Sequence, residues 1–269
     1  MGVSEPSTTV PVALCLGGLD PSGGAGLLRD VMTLAALGVH PMAVSLADTV
    51  QNGLGCKAIR PPADPFPGLE ALAPHLAGTW GVKLGLCALD GTDLRRVAAQ
   101  VEAWSPLARI WDPILAPTEG VGLHDAEGLR AMAGILLAAG PWVVSPNLPE
   151  AAALADLPPG ADPADLARPL LERGAAAVWL KGGHGGGSQV EDFWITSQGV
   201  QSLGRVARLP GDRRGTGCTL ASAWLGFRLG GLDGPGAAAC AAAHLRGHWE
   251  PGVRPGGAGR PCFAPGGRP

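Results

Sequence analysis

Short runs of apolar residues alternate with segments of helical periodicity along most of this chain. The runs predict strands near residues 12–17, 42–47, 81–85, 109–112, 142–145 and 177–181. The segments between and after them predict helices between Leu27 and Gly38, from about Pro149, and over 69–77, 93–104, 126–139, 163–173, 217–229 and 236–248. Residues 53–68 are expected to be loop-rich. Because the strands are apolar throughout, they indicate an α/β fold with a mostly parallel sheet covered on both faces.

The pattern changes in the last third of the chain. Two apolar runs, 190–196 and 199–207, follow each other without an intervening helix, which predicts a small late β-hairpin over 190–207. Glycine, proline and arginine dominate residues 250–269, and we expect this segment and residues 1–9 to be loose tails. The expectation for residues 1–269 is a single domain.

Composition and charge exclude several classes of partner. The net charge of -3 gives no electrostatic reason to expect binding to nucleic acid or to an anionic membrane. No apolar run reaches the length of a membrane span, and the first residues lack the pattern of a signal peptide, so we expect a cytoplasmic protein. The six cysteines are scattered, which argues against a zinc site or a disulfide framework.

Polar residues and glycines follow the predicted strands, where parallel sheets bind their ligands. The segments concerned are Gly17-Gly18, 48–52, Gly85-Leu86, Asp112-Pro113, Asn147 with Glu150, and 181–183. Their coincidence at strand ends predicts one site at the carboxyl edge of the sheet.

The segment Gly215-Thr216-Gly217-Cys218 opens the predicted helix 217–229. Two glycines allow a sharp turn that bares backbone amides, and the start of a helix carries partial positive charge, so the segment suits a phosphate. Cys218 would lie in the first helical turn, where we expect a lowered thiol pKa. Taken alone, the segment fits a glycine-rich helix cap with a small buried cysteine equally well.

Motifs of several enzyme classes are missing from the sequence: the dinucleotide-binding G-x-G-x-x-G, the P-loop, H-E-x-x-H and G-x-S-x-G. Phosphoryl transfer without a P-loop remains, and it needs an anion cradle, a cation and a metal held by carboxylates. Lys181 is the candidate cation, and Asp112 and Glu150 could hold Mg²⁺. Singly, Glu150 is more often a helix N-terminal carboxylate and Lys181 a surface lysine.

These segments, in the same order, resemble motifs of the hydroxymethylpyrimidine/phosphomethylpyrimidine kinases, a family of the ribokinase-like superfamily. The resemblance runs from about residue 12 to residue 230. Gly18 to Gly26 is similar to G-x-D-P-S-G-G-A-G, and Asp30 with Ala36-Leu37-Gly38 continues that motif. The further matches are Thr49-Val50-Gln51-Asn52, Lys83-Leu84-Gly85-Leu86, Asp112-Pro113-Ile114-Leu115, Pro146-Asn147-Leu148-Pro149-Glu150-Ala151, Lys181-Gly182-Gly183-His184 and Gly215 to Thr219.

The resemblance implies a three-layer α/β/α fold, ATP with Mg²⁺, and a homodimer. It also implies two successive phosphorylations: first of 4-amino-5-hydroxymethyl-2-methylpyrimidine, then of its monophosphate. Gln51 would read the pyrimidine edge, and the pocket would be shared by Gly18, Asp30, Leu86 and Ile114. The implied catalytic residues are Cys218, Gly215, Gly217 and Lys181; ATP and its phosphates would contact Lys181, Asn147, Thr216 and Gly217; the metal residues would be Asp112 and Glu150.

Two departures and two alternatives accompany this interpretation. Arg213-Arg214 replaces the threonine-histidine of the family, which we expect to add charge near the phosphates, and Gly259 to Phe263 replaces its closing motif. Some relatives with this cysteine loop phosphorylate pyridoxal, whose aldehyde could bond Cys218, and Gln51 suits either ring. A catalytically silent pyrimidine or vitamin sensor on the same scaffold is the alternative from a different class.

Overall fold

The computed structural model describes residues 10–115, 124–250 and 252–264. Its strands are β1 Val12–Leu19, β2 His40–Asn52, β3 Gly55–Arg60, β4 Trp80–Leu84, β5 Ala108–Trp111, β6 Val143–Val144, β7 Ala177–Leu180, β8 Gln189–Thr196, β9 Gly199–Ala207, β10 Gly252–Val253 and β11 Cys262–Phe263. Its α-helices are α1 Gly26–Ala36, α2 Phe66–Leu72, α3 Gly91–Ala103, α4 Ala126–Ala139, α5 Leu148–Ala155, α6 Pro163–Glu172, α7 Thr216–Leu229 and α8 Gly234–Gly247.

The central sheet has nine strands in the order β3-β2-β1-β4-β5-β6-β7-β8-β9. The strands from β2 to β7 in this order pair in parallel, while β3, β8 and β9 pair antiparallel at the two edges. The parallel strands therefore end at one edge of the sheet, where the sequence places its polar residues. The predicted α/β fold and the late hairpin are both confirmed.

Two hydrophobic cores lie on opposite faces of the sheet. Along β1, Leu14 and Leu16 belong to one core, while Ala13 and Cys15 belong to the other. Residues of α2 to α6 cover the first face, and residues of α1, α7 and α8 cover the second. A strand buried on both sides needs apolar residues at every position, which is why these runs are continuous rather than alternating.

The structure corrects the expectation for residues 53–68, which the sequence indicates as loop-rich. Strand β2 extends to Asn52 and turns into β3, and α2 begins at Phe66. The end of β2 lies at the sheet edge, where polar residues such as Asp48 and Asn52 are exposed and give no apolar run. A hairpin that is partly exposed at the edge of the sheet therefore has no continuous apolar run from which its strands could be predicted.

The expected loose tail over 250–269 is also corrected where the structure describes it. Strands β10 and β11 pair antiparallel, and Phe263 is 3% exposed against the ring of Trp249. The amide of Arg214 donates to the Pro261 carbonyl, and the amide of Arg260 donates to the Gly53 carbonyl. The segment is held by contacts with distant loops. The other predicted tail, residues 1–9, lies outside the described residues, as do 251 and 265–269.

Within the described ranges, none of the helices combines the length and the apolar character that crossing a membrane would require.

Candidate active site

A cavity of about 690 Å³ lies at the carboxyl edge of the parallel strands. Its lining includes every residue that the sequence analysis nominates: Gly18, Asp30, Gln51, Leu86, Asp112, Ile114, Asn147, Glu150, Lys181, Gly215, Thr216, Gly217 and Cys218. These positions come from well-separated parts of the chain and meet because parallel strands end together. The cavity therefore lies where the polar residues after the predicted strands indicated a site.

The N-terminus of α7 opens into this cavity without a side-chain cap. Gly215 occupies the N-cap position with φ of 78°. A β-carbon there would lie 2.3 Å from the carbonyl oxygen of Gly24, so only glycine fits both the conformation and the close approach. The Thr216 hydroxyl donates to the carbonyl of Arg213 rather than to the helix amides. The amides of the first turn are thus left for a ligand.

A buried ion pair faces this helix terminus. The Lys181 ammonium donates to Asp112 Oδ1 at 2.8 Å, with the two side chains 8% and 3% exposed. A β-carbon on Gly217 would lie 3.2 Å from Asp112 Oδ2 and 3.6 Å from Lys181 Nζ. The Lys181 side chain is therefore a buried cation beside the first turn of α7, and the surface-lysine alternative is wrong.

Glu150 has two relationships in the structure. Its Oε2 accepts from the amide of Asn147 at 2.8 Å, while Asn147 Oδ1 accepts from the amide of Glu150 at 2.9 Å, which forms a capping box for α5. Burial raises the pKa of Glu150 to about 7, against the lowering effect of Lys181, and the nearby Asp112 carboxylate raises it further. The helix-cap interpretation of Glu150 is confirmed, and Asn147 uses its oxygen for the cap.

The carboxylates of Asp112 and Glu150 also have the donor atoms that a magnesium ion requires. In the described parts of the chain, Asp112 Oδ2 and Glu150 Oε1 accept no hydrogen bond, while the other oxygen of each is occupied. Mg²⁺ usually takes one or two protein carboxylates and completes its shell with phosphate oxygens and water. No group of three or more ligating side chains occurs among the described residues.

Cys218 lies in the first turn of α7, as predicted, but its thiol is not acidic. Burial raises the pKa of Cys218 to about 11, and the carboxylates of Asp30 and Asp112 add to this effect. The Lys83 ammonium and the amide of Gly26 act in the opposite direction and do not outweigh burial. The expectation of a lowered pKa is therefore wrong, because the helix terminus here is enclosed rather than exposed to solvent.

A second buried ion pair lies in the floor of the cavity and includes a residue that the sequence analysis gave no role. Lys83 Nζ donates to Asp30 Oδ2 at 2.7 Å, and the Ser222 hydroxyl donates to Asp30 Oδ1 at 2.8 Å. Both oxygens of Asp30 are thus occupied. The signal for Lys83 was available, since a lysine inside the buried strand β4 needs a carboxylate partner.

One side of the cavity offers a mixed polar and apolar pocket. Gln51 lies near the end of β2, next to an irregularity in its pairing with β3, and is half-buried. A β-carbon on Gly18 would lie 2.9 Å from Leu86 Cδ2, so the glycine allows this leucine to approach β1. Ile114 lines the same cavity. The group combines one carboxamide with apolar walls, which suits a flat polar ring.

The other side of the cavity was missed by the sequence analysis. It is lined by apolar residues from β9, the following loop, α8 and the turn after α8, namely Leu203, Val206, Leu209, Ala238, Ala242 and Trp249. These residues form no motif, and alanines of a helix give the same sequence signal whether they pack in a core or face a ligand. In the strand order, β2 with Gln51 and β9 lie towards opposite ends of the sheet, and α7 packs on β1, β4 and β5 between them.

The two arginines before Gly215 do not add free charge to the cavity, contrary to expectation. Arg214 Nη2 donates to Asp20 Oδ2 at 2.6 Å, and Arg213 Nη2 donates to Glu250 Oε1 at 3.0 Å. Each guanidinium is therefore neutralised by a carboxylate. Both arginines still line the cavity.

Comparison with known proteins agrees with this geometry. The family profile described as phosphomethylpyrimidine kinase matches residues 20–261. The chain belongs to the phosphomethylpyrimidine kinase family. It is 31% identical over 228 residues to the hydroxymethylpyrimidine/phosphomethylpyrimidine kinase of Escherichia coli strain K12, covering 80% of this chain and 82% of that one. It is 33% identical over 230 residues to the Streptomyces coelicolor enzyme of the same name, covering 83% and 82%.

Solved structures of kinases share the fold. The phosphomethylpyrimidine kinase of Clostridium difficile 630 superposes with a TM-score of 0.72 at 23% identity, over 88% of this chain and 98% of that one. The pyridoxal kinase of Staphylococcus aureus, in complex with AMP-PCP and pyridoxal, gives a TM-score of 0.80 at 22% identity, over 96% and 94%. This member of the phosphomethylpyrimidine kinase family thus has the ribokinase-like fold that the resemblance of its motifs implied.

Proposed function

We propose that this kinase uses ATP to phosphorylate 4-amino-5-hydroxymethyl-2-methylpyrimidine, and then converts the monophosphate to the diphosphate, as a step of thiamine biosynthesis. The observation that carries the proposal is the uncapped terminus of α7, which faces the Lys181–Asp112 pair between two differently lined sides of one cavity. Relatives that cover most of the chain carry this activity in their names. The proposal further includes the cytoplasm as its location and a homodimer as its state.

Each side of the cavity suits one substrate. The Gln51 carboxamide can both donate to and accept from an aminopyrimidine edge, while Leu86 and Ile114 give the ring apolar walls. The apolar side near Trp249 suits a purine base. With both substrates in place, the acceptor oxygen and the terminal phosphate would meet at Gly215 to Cys218.

The chain contributes positioning and charge rather than a strong base. The amides of Gly217 and Cys218 and the Lys181 ammonium stabilise negative charge on the transferred phosphoryl group. The acceptor oxygen forms its bond to the terminal phosphorus while the bond to the departing ADP breaks. Because the pKa of Cys218 is about 11, the thiol is neutral at physiological pH, and it orients the acceptor hydroxyl by hydrogen bonding. The hydroxyl proton leaves with the phosphoryl oxygens or to water.

Asp112 and Glu150 are the residues that would hold Mg²⁺. When bound with ATP, the ion would neutralise phosphate charge. In the protein without the ion, Lys181 neutralises Asp112, and the raised pKa of Glu150 keeps part of its carboxyl groups protonated near neutral pH.

A coupled ADP-release assay tests the proposal, with hydroxymethylpyrimidine, its monophosphate and pyridoxal measured side by side. We expect turnover on both pyrimidines, with a higher kcat/KM than on pyridoxal. A preference for pyridoxal would replace the proposed substrate by the vitamin B6 alternative. If none of the three compounds supports ADP release, the result would contradict the proposed enzyme activity and favour the silent sensor.

A further inference from the structure

Arg214 joins two loops that belong to opposite ends of the sequence. We call residues 20–26 the acceptor loop and residues 213–218 the phosphoryl loop. Arg214 Nη2 donates to Asp20 Oδ2 at 2.6 Å, and Nη1 donates to the Ser22 hydroxyl at 3.0 Å. The two charged side chains are 7% and 2% exposed, so the ion pair is buried. The acceptor loop is therefore attached to the residue immediately before Gly215.

Asp20 in turn organises the acceptor loop. Its Oδ1 accepts from the amide and the hydroxyl of Ser22, and its Oδ2 accepts from the amide of Ala25 at 2.9 Å. One carboxylate thus shapes the turn that leads into α1 and also receives the Arg214 guanidinium. Movement of Arg214 would be transmitted to this turn through shared hydrogen bonds.

The two loops also pack closely at their glycines. A β-carbon on Gly24 would lie 2.6 Å from Arg214 Nη1, and one on Gly215 would lie 2.3 Å from the Gly24 carbonyl oxygen. At the far end, the amide of Gly26 forms a hydrogen bond with the Cys218 thiol. The position of that thiol relative to the acceptor loop therefore depends on a contact surface that begins at Arg214.

Other ionisable groups pack near this ion pair, and the adjacent Arg213 is paired with Glu250. Arg29 from α1 donates to the carbonyls of Gly23 and Phe263, and so approaches the acceptor loop from its other side. Cys56 of β3 lies near both members of the pair, and Cys262 of β11 forms a backbone bridge with Arg214. Among the described residues around the pair, Asp20 is the carboxylate that neutralises Arg214.

We infer that Arg214 is a positioning residue of the kinase: its permanent charge holds the acceptor loop against the phosphoryl loop and so fixes the distance between acceptor and phosphoryl group. The inference rests on the proposed function. It assigns to a residue that departs from the family's threonine-histidine a role in catalysis through Asp20 rather than through direct contact with phosphate.

Substitution of Arg214 by a titratable residue gives a readout that a merely structural role would not produce. In Arg214→His, an imidazolium can pair with Asp20 at about pH 6, whereas a neutral imidazole cannot do so at about pH 8.5. We expect the ratio of variant to wild-type kcat/KM for the pyrimidine to fall about ten-fold across this range. For Arg214→Lys the ratio should not depend on pH. For Arg214→Met it should also not depend on pH, but it should be about 100-fold lower at every pH.

Arg214→Met leaves Asp20 buried without a partner and could fail to fold. The double variant Arg214→Met with Asp20→Asn removes both charges, and we expect it to fold and to keep the low kcat/KM. Arg109→Met is the matched control, because Arg109 pairs with Glu102 near the amino end of the central strand β5 and is not among the residues that line the cavity. A ratio for Arg214→His that is independent of pH, or wild-type turnover in the double variant, would overturn the inference.

Alkylation of Cys218 by iodoacetamide gives a second readout that needs no substrate. The buried thiol should react slowly in the wild type, and peptide mass spectrometry separates it from the other cysteines. We expect faster labelling of Cys218 in the double variant and unchanged labelling in Arg109→Met. Equal labelling in all three proteins would contradict the positioning role. Inactivity of the wild type on every acceptor, with faster labelling in the double variant, would instead refute the proposed function alone.

Discussion

The N-termini of α5 and α7 both line the cavity at the carboxyl ends of the parallel strands, but of the two only α5 caps its amides with its own side chains. Asn147 and Glu150 close the first turn of α5 through a capping box, whereas Gly215 leaves the first turn of α7 without a side-chain cap. Four further helices of the described chain, α3, α4, α6 and α8, begin with a capping aspartate. Helix α1 also begins without a side-chain cap, and Ala25 and Gly26 at its start line the same cavity. The first turn of α7 lies in addition beside the buried Lys181–Asp112 pair, which is consistent with a ligand that supplies the missing acceptors.

The N-terminal turn of a helix thus has two different uses in this protein: it stabilises α5, and it leaves amides of α7 open to a ligand. At α5, the side chains of Asn147 and Glu150 use hydrogen-bonding atoms to cap the first turn, and these atoms are no longer free for a ligand. At α7, glycine costs helix stability but leaves amides and space beside Lys181. Polar residues near a helix start thus indicate a self-contained cap, and glycines next to a buried ion pair indicate a ligand site.

The largest effect is expected from removal of the cation that faces the α7 terminus. Lys181→Met should lower kcat by about 100- to 1000-fold, because the transferred phosphoryl group loses its nearest protein charge. The substitution also leaves Asp112 buried without a partner, so the melting temperature should fall. Steady-state kinetics and thermal unfolding of Lys181→Met check this. Lys181→Met with Asp112→Asn is the control: if stability returns and turnover returns with it, the role of Lys181 is structural.

A smaller effect is expected at the thiol beside the open terminus. Cys218→Ala should lower kcat by about 10- to 100-fold on both pyrimidines and leave KM nearly unchanged, because the thiol orients the acceptor in the transition state. Since the pKa of Cys218 is about 11, the pH profile of kcat should keep its shape in the variant. Cys240→Ala, at a half-buried cysteine of α8 that does not line the cavity, serves as control. Lost stability with intact turnover would show a packing role for Cys218.

The next effect concerns recognition rather than transfer. Gln51→Ala should leave one edge of the pyrimidine unpaired and weaken its binding by about 1–3 kcal/mol, seen mainly as a higher KM. The KM for ATP should change little, because β2 with Gln51 and the β9 side of the apolar pocket lie towards opposite ends of the sheet. Kinetics with each substrate varied in turn measure both constants. An unchanged KM for the pyrimidine would remove Gln51 from the pocket.

The smallest effect is expected at α5, where a substitution should raise the melting temperature rather than lower it. The folded-state pKa of Glu150 is raised from 4.5 to about 7, so the folded protein binds more protons than the unfolded chain and loses stability as the pH rises through this range. Glu150→Gln removes this loss and keeps the capping box, because glutamine also accepts from the amide of Asn147. The variant should melt above the wild type at about pH 8 and close to it at about pH 5. Turnover should fall.

Thermal unfolding of the two proteins without nucleotide at both pH values checks the prediction for Glu150. A difference in melting temperature that does not grow with pH would show that the Glu150 carboxyl is not destabilised by burial. Asp90→Asn, at the exposed cap of α3, is a control for loss of a helix-terminal charge outside the cavity.

The sequence predicted the parallel strands because burial on both faces of a sheet demands continuous apolar runs. It did not predict β3, since the edge hairpin has exposed polar residues and no such demand. It did not predict the order of residues 252–263 either, because Phe263 is held by Arg29 and Trp249, whose contacts follow from tertiary packing. The local sequence pattern therefore predicted buried strands well, but it did not predict strands at the sheet edge or segments held by distant contacts.

The candidate site shows the same division. Strand-end positions such as Asp112 and Lys181 could be predicted to meet, since parallel strands end together. The partners of charged groups could not, because Lys83 and Asp30 lie 53 positions apart and Arg214 and Asp20 lie 194 apart. The pKa of Cys218 was predicted in the wrong direction for a related reason. A helix terminus lowers the pKa of a thiol, but burial by the rest of the fold raises it by a larger amount.

Gly217→Ala tests most directly whether the open terminus of α7 is the site of phosphoryl transfer. The added methyl group would lie 3.2 Å from Asp112 Oδ2 and 3.6 Å from Lys181 Nζ, in the space proposed for the phosphoryl group. The helix preference of alanine, about 0.5–1 kcal/mol over glycine, opposes the cost of the close contact with Asp112, so the melting temperature should stay near that of the wild type. We predict that kcat on hydroxymethylpyrimidine falls about 100-fold or more. Gly134→Ala, at an open position of α4, should keep wild-type turnover. Wild-type kcat in Gly217→Ala would contradict the account.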